Sequence, residues 1–464
     1  MMKLEKAIQL GYEIIIWGTG NCFKKNIDKI KKNIAISAFT DSDASYEDKL
    51  IKGFQYRKID RFTQNVFVII LIEKRQIVDE IERKLKDMNI PYCLAEEAIG
   101  FCSITEETAF VEEHWTEISK ELSLDDSQWN NVLKKYINLN VPATTCNLQC
   151  PYCYIRRSRE FNNPPQLYHH PKYIRFCLSQ KRLNGQALIT LCAAGETMLA
   201  DKFVDVCVEL LQEGHFLHIV TNGTLTNKIN ELIERAGKYK ERLFFKFSFH
   251  YGEFKRRKQL EIFANNVNCV SKAGASFTVE LTTDDDLIDL LEEIKEFSMK
   301  HFGAWPHITI ARDDTQKDIP IYTQLSSDKY FEIWSQFNSK QFEVKWNYFG
   351  KFIDNCYAGK STLNINLRTG DVSKCLGQPR VGNIYMREFQ LLEYEAVKNQ
   401  CVFPYCYNNH AYLTLGASPD VKTYSYAEIR DRERLDGTNW LSDEVYNFIN
   451  QKLYETNVYQ DKEG

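Results

Sequence analysis

Long apolar runs are missing from this chain. No stretch approaches the ~20 consecutive apolar residues that cross a bilayer as a helix, so a membrane-spanning helix is not expected. Excess charge of one sign is missing too. The 59 Lys plus Arg stand against 63 Asp plus Glu, a formal charge of −4. No global field therefore draws the chain to nucleic acid or an anionic membrane. Proline is scarce, at 11 residues, and neither an internal repeat nor a low-complexity tract is visible. A mainly disordered chain is excluded on that composition. The opening Met1-Met2-Lys3-Leu4-Glu5-Lys6 lacks the basic-then-apolar order of a signal peptide. The expectation is a cytoplasmic protein, where 14 cysteines do not read as a disulfide framework.

What is present is bulk and pattern. The 464 residues, 44% apolar and 13% aromatic, exceed the ~150-residue prior for one domain about threefold and predict two or three buried cores. The first hundred residues read as a small α/β unit. Ile14-Ile15-Ile16-Trp17 is the continuous apolar run of a buried parallel strand, followed by Gly18-Thr19-Gly20 and a helix over 21–32. Strands over 34–39 and 66–72 and a helix over 76–88 continue the alternation. A charged helical connector is expected over 106–135.

A longer alternation follows. Strands are predicted over 136–141, 187–191, 216–221, 243–249, 276–282 and 307–311, with helices over 201–213, 227–236, 257–272 and 287–301. Six strand-helix units in about two hundred residues fit an incomplete barrel better than an open sheet. From about Lys340 the pattern turns to short strands, turns and cysteines, with a hairpin through Arg368-Thr369-Gly370-Asp371. The expected divisions are therefore 1–105, 106–135, 136–340, 341–420 and 421–464, the last a surface helix over 442–454 with a polar tail.

Two groups of cysteines carry chemistry. The first is Cys146-Asn147-Leu148-Gln149-Cys150-Pro151-Tyr152-Cys153, a C-x3-C-x2-C run directly after a predicted strand. Three thiolates this close need a distant fourth ligand to complete a zinc shell, for which His169, His170 or a remote cysteine would serve. They also suit a cubane iron-sulfur cluster with one iron left open. The second group is Cys356, Cys375, Cys401 and Cys406, enough to close either a cluster with no open iron or a structural zinc site.

The first run, with aromatic Tyr152 before its last cysteine, resembles the radical S-adenosylmethionine superfamily. Ala194-Gly195-Glu196-Thr197 after the second strand looks like that family's GGEP segment, with Ala for the first Gly and Thr for Pro. Thr221-Asn222-Gly223 resembles its TNG, and Ser248 stands where the family often places a polar residue near the ribose or carboxylate of the ligand. The likeness covers about 136–312 and implies an α/β fold built on a partial (β/α)6 TIM-like barrel. It assigns Cys146, Cys150 and Cys153 to a catalytic 4Fe-4S cluster, and Tyr152, Gly195, Glu196, Asn222 and Ser248 to the S-adenosylmethionine site. It further implies a 5′-deoxyadenosyl radical that abstracts hydrogen from a substrate carbon, and a reductant such as flavodoxin or ferredoxin.

The order Cys356-x2-Gly359, Gly370-x4-Cys375 resembles the SPASM and twitch extensions of such enzymes, which implies a small cysteine-rich domain with a second, auxiliary iron-sulfur cluster. An auxiliary cluster favours oxidation. Cys192, just before Ala194-Gly195-Glu196, is a candidate hydrogen-atom donor for epimerisation and equally reads as a small buried residue. The expected substrate is a carbohydrate or other polar small molecule, a glycan, or a ribosomal peptide for a maturase; a non-enzymatic zinc-binding scaffold is the alternative from another class.

Gly18-Thr19-Gly20 matches only part of a dinucleotide fingerprint, with Asp41 about where an acid would meet a ribose. That unit resembles the Rossmann-like domains of sugar-nucleotide and glycan-modifying proteins. Arg156, Arg157 and Arg159 follow the cysteine loop and are either an anion grip or a solvated helix face. Asp284-Asp285-Asp286 opens a helix, where its charge suits the helix dipole.

Overall fold

The computed structural model describes the chain apart from residues 1–2, 48, 63–64, 123–130, 154–166, 168, 386–394, 404, 458 and 460–464. It divides into two compact units: 1–116 with 168–173, and 117–167 with 174–464.

In the first unit, strands β1 (Glu13–Trp17), β2 (Ala38–Thr40), β5 (Val66–Ile70) and β6 (Tyr92–Leu94) form a parallel sheet in the order β2-β1-β5-β6. Between them lies a minimal hairpin of β3 (Leu50–Ile51) and β4 (Phe54–Gln55). Side chains alternate across a strand, and both faces here are apolar. Ile14, Ile16, Phe67 and Ile69 meet Phe23, Ile27 and Ile30 of helix Asn21–Asn33. Ile15, Trp17, Val68 and Ile70 meet Val78, Ile81 and Leu85 of helix Arg75–Asp87. The result is a three-layer α/β/α sandwich. The strand expected over 34–39 is only Ala38–Thr40, because Ile34 closes the preceding helix. The charged connector begins earlier than expected: a 28-residue helix, Ala95–Leu122, starts directly after β6.

The second unit holds a nine-stranded sheet. Six strands run in parallel: β7 (Lys135–Val141), β8 (Ala187–Ala193), β9 (Phe216–Thr221), β10 (Leu243–Phe249), β11 (Ser276–Thr282) and β12 (His307–Thr309). Each neighbours the next, in the order β12-β11-β10-β9-β8-β7. Helices Phe203–Gln212, Thr226–Ala236, Leu260–Lys272 and Leu291–Phe302 separate them along the chain. One face is apolar: Phe247 meets Phe263 edge-on at 5.8 Å, and Phe249 stacks on Phe263 at 5.0 Å.

The hairpin expected as part of a separate small unit instead extends this sheet. β13 (Thr362–Asn366) pairs in parallel with β7, and β14 (Asp371–Ser373) and β15 (Arg380–Asn383) follow antiparallel. Continuous backbone pairing from β12 to β15 is why the region packs as one body.

The C-terminal helix is also not a surface element. In Asp443–Asn450 the side chains of Val445, Phe448 and Ile449 are fully buried. Phe448 stacks on Phe216 at 3.8 Å, within a core that includes Tyr136, Leu188 and Phe244 from the starts of β7, β8 and β10. Burial of three such side chains is worth roughly 5–8 kcal/mol before entropy is counted, far beyond what a surface helix gains.

Candidate functional site

The loop after β7 carries the three-cysteine run, and the segments that follow β8, β9 and β10 hold it by hydrogen bonds. The end of β8 comes closest. The Gly195 N–H donates to the Ala143 carbonyl at 2.7 Å, and the Glu196 N–H donates to Thr145 at 3.0 Å. A side chain at 195 would place its Cβ 2.2 Å from the Thr145 carbonyl oxygen. Only glycine permits that approach.

The Glu196 carboxylate, expected to help seat a cosubstrate, is held by three donors of the chain. It accepts from Thr221 Oγ1 at 2.7 Å, the Asn222 N–H at 2.7 Å and the Met198 N–H at 3.1 Å. Burial raises its pKa, and these three donors oppose the rise. Glu196 thus fastens the end of β8 to the end of β9.

Asn222 acts in the same way. Its amide donates to Asn147 Oδ1 at 2.8 Å and lies 3.9 Å from Cys146 Sγ, while its oxygen accepts from Thr224. Asn147 in turn donates to Thr224 Oγ1 at 2.8 Å. Asn222, expected to touch a ligand, also braces the cysteine loop.

A third tether escaped the sequence. Glu253, on helix Tyr251–Arg257 after β10, accepts the Gln149 N–H at 3.0 Å and pairs with Arg256 and Arg257. Arg257 also donates to the Asn147 carbonyl at 3.0 Å. Burial works to raise the Glu253 pKa, but the donors from Arg256, Gln149 and Arg257 outweigh it and hold the carboxyl below its ordinary value. The only sequence signal was Glu-x2-Arg-Arg on a helix, which reads as an ordinary surface pair.

Tyr152 completes the frame, its hydroxyl 2.6 Å from Nδ1 of His250. Burial pushes the Cys150 thiol up to about 12, with the charges of Glu253, Cys146 and Cys153 adding to the effect. Burial likewise raises Cys146, and the neighbouring Cys153 contributes. The three thiols therefore share one environment.

The second group converges from distant segments. Cys356, Cys375, Cys401 and Cys406 line one cavity with Phe403 and Tyr412. Burial raises Cys375 to about 11, with Cys356 and Cys401 among the contributors. Burial drives Cys406 far up, helped by Cys375, Cys356 and Cys401. Among the described residues, no three His, Cys, Asp or Glu side chains stand close enough to hold a single metal ion. A cubane distributes its thiolates over separate irons, so its ligands stand farther apart than those of one ion.

The remaining candidates fall in several places. Ser248 Oγ accepts from Lys246 Nζ at 3.2 Å on the polar face of β10. Cys192 is half-buried at the end of β8, its thiol 3.5 Å from the Ala193 carbonyl. His169 and His170 belong to the first unit: His169 Nδ1 lies 2.5 Å from Glu107, which also accepts the His170 N–H at 2.9 Å. Asp41 accepts from the Thr19 N–H at 2.9 Å and the Thr19 hydroxyl at 2.6 Å, so it ties the glycine turn to the end of β2. Gly18 has φ +111, and a Cβ there would meet Ile72 at 2.6 Å, so packing alone accounts for it. Asp284 caps the turn Asp285–Leu290. Arg156, Arg157 and Arg159 lie outside the described residues.

Comparison with known proteins follows this geometry. The family model "C2185-like, N-terminal" matches residues 10–93 of the first unit. No curated protein matches the chain significantly. Among solved structures, Streptococcus suis SuiB bound to S-adenosylmethionine is 14% identical, with TM-score 0.40 over 67% of this chain and 73% of its own. Native anSMEcpe with bound AdoMet is 14% identical, with TM-score 0.41 over 57% and 82%. BtrN in complex with AdoMet and 2-DOIA is 16% identical, with TM-score 0.25 over 54% and 78%. The chain is only distantly similar to these three structures, at 16% identity or less.

Proposed function

We propose that this chain is a radical S-adenosylmethionine enzyme acting on a polar substrate. One observation carries the reading: a C-x3-C-x2-C loop after the first of six parallel strands is bonded to the end of the second, the end of the third and the helix after the fourth. We read the six strands as a partial (β/α)6 barrel, whose carboxyl ends are where such folds place their chemistry. Cys146, Cys150 and Cys153 would hold a 4Fe-4S cluster. When bound with S-adenosylmethionine on its open iron, that cluster supplies one-electron cleavage of the sulfonium and hydrogen abstraction from a substrate carbon.

The protein's own part is positional. Gly195 lets the β8 turn lie against the cysteine loop. With the N–H groups of 195 and 196 already donated to that loop, a methionine ammonium at this turn would be met by carbonyl oxygens, the right polarity for a donor. Asn222 fixes the loop at Asn147 and Glu253 at Gln149. Cys356, Cys375, Cys401 and Cys406 fit a second, closed cluster, and a closed cluster supports oxidation as the net reaction. Cys192, at the β8 end, supports epimerisation as the second reading.

The test is anaerobic purification followed by iron, zinc and sulfide analysis, and by assay of 5′-deoxyadenosine release with dithionite. Brown protein that bleaches on reduction and releases deoxyadenosine is the expected result, with Cys150→Ala losing the deoxyadenosine release and part of the iron while the second cluster keeps some colour. Colourless protein carrying zinc alone would overturn the proposal. With a turned-over substrate, solvent hydrogen in an otherwise unchanged product indicates epimerisation, and loss of two hydrogens indicates oxidation.

A further inference from the structure

The face of the parallel sheet opposite Phe247 and Phe263 carries a line of polar side chains. Period-two alternation along β8, β9, β10 and β11 puts Thr190 and Cys192, His218, Lys246 and Ser248, and Thr278 and Glu280 on this face. Charge is concentrated there. Glu280, 2% exposed, pairs with Lys246 at 3.1 Å and with Arg430, also 2% exposed. Arg430 Nη1 donates to Gln341 Oε1 at 3.0 Å, and its Nη2 to the Tyr426 hydroxyl at 3.0 Å. One carboxylate thus serves two cations, Arg430 buried and Lys246 half-buried.

A third cation faces the same chain of contacts. Gln341 and Lys345 stand four residues apart on helix Lys340–Asn347, so their side chains lie one above the other on one helix face. Since Gln341 meets Arg430, Lys345 is turned toward the Lys246–Glu280–Arg430 group. Lys345 has no ion-pair or hydrogen-bond partner among the described residues. Burial, then the charges of Arg312 and Lys246, holds its pKa far below the ordinary lysine value, and burial with the charge of Arg430 brings Lys246 down to about 8. Other polar atoms here lack partners as well, namely His218 Nε2, Thr278 Oγ1 and His410 Nδ1.

An ammonium held in this setting without a counter-ion is disfavoured. A fold that needed only stability would place an apolar side chain there. We propose that this face receives the anionic group of the substrate, a carboxylate or a phosphate, between Lys345 and Lys246. The inference rests on the reading that the strand ends beside Cys192 and Ser248 are the reaction site, and it narrows the substrate from polar to anionic.

The test uses the full chain, reconstituted anaerobically, with malonate, inorganic phosphate and uncharged malonamide as probes. Calorimetric titration should show saturable binding of malonate or phosphate and none of malonamide; which anion binds tells a carboxylate site from a phosphate site. Lys345→Met should weaken binding roughly ten-fold or more, and Lys345→Arg should restore most of it. Thermal melting supplies the folding control. Without anion, Lys345→Met should melt at or above the wild-type temperature, and added anion should raise the melting temperature of the wild type and of Lys345→Arg far more than that of Lys345→Met. Equal binding of malonate and malonamide, no saturable binding of either anion, or a Lys345→Met protein that melts lower yet binds anion normally would each overturn the proposal. Iron content and deoxyadenosine release are read on the same samples. Anion binding without a cluster would leave this site standing and remove the radical reading; a working cluster without anion binding would do the reverse.

Discussion

The side-chain amide of Asn222 donates to the side-chain oxygen of Asn147 at 2.8 Å, and Asn147 is the residue directly after Cys146. The β9 end therefore sets the position of the first cysteine through one side-chain pair. Asn222→Ala would leave the half-buried Asn147 oxygen short of a donor, a cost of about 1 kcal/mol. The expected outcome is reduced iron per chain after reconstitution, with a much smaller change in melting temperature. Iron analysis beside thermal melting checks it, and unchanged iron with lowered stability would show that Asn222 serves only its own turn.

Gly195→Ala is the sharpest steric probe. The added methyl would stand 2.2 Å from the Thr145 carbonyl oxygen, a contact that requires backbone to move. The cysteine loop and the β8 turn are expected to separate, with deoxyadenosine release lost and the far-ultraviolet circular dichroism retained. Wild-type rates in this variant would mean that the turn does not position the cosubstrate.

Stability should fall in acid through a histidine remote from the cysteines. His215 is buried, accepts the Ala187 N–H on Nδ1 at 3.2 Å, and lies with Nε2 2.8 Å from the Leu178 carbonyl. That arrangement suits only the neutral ring, and burial lowers its pKa to about 4. The unfolded chain takes up a proton below about 6.5, whereas the folded chain waits until about 4. Unfolded protein thus binds more protons inside this window, and stability declines as pH falls through it. The contribution is about 1.4 kcal/mol per pH unit and about 3 kcal/mol in all. Denaturant titrations at several pH values should show His215→Gln flattening the slope by one proton; an unchanged slope would remove His215 as the cause.

The four-cysteine cavity makes a separable prediction. Cys375→Ala removes one of four thiols while leaving the loop after β7 untouched. Iron content should drop, deoxyadenosine release without substrate should persist, and substrate oxidation should be lost. Equal loss of both activities would mean that the cavity is needed for folding and not for electron transfer.

Part of this arrangement was legible in the residues alone. The strand series showed itself because strands buried on both faces read as apolar runs, as in Ile14-Ile15-Ile16 and Val66-Phe67-Val68-Ile69-Ile70. The cysteine run was legible because thiolate spacing is local. Pairing between distant segments was not. Nothing in Thr362–Asn366 announces a parallel partner in Lys135–Val141, and so the hairpin read as a separate unit.

The roles of Glu196 and Asn222 were hidden for a similar reason. Both stand at strand ends beside the loop, and only the fold shows that their polar atoms are taken by Thr221, Met198, Asn147 and Thr224. Lys246 was the missed signal. The alternation Phe245-Lys246-Phe247-Ser248-Phe249 places a lysine on the opposite face from three phenylalanines, a pattern visible in one line of sequence.

The account turns on whether a cluster on Cys146, Cys150 and Cys153 would keep one position free for a ligand. Electron paramagnetic resonance of the dithionite-reduced protein answers this most directly, using a variant with Cys356, Cys375, Cys401 and Cys406 all replaced by Ala so that only the first site contributes. A 4Fe-4S signal that changes when S-adenosylmethionine is added is the expected result. A signal indifferent to S-adenosylmethionine, in protein whose iron content and fold match the wild-type site, would contradict it.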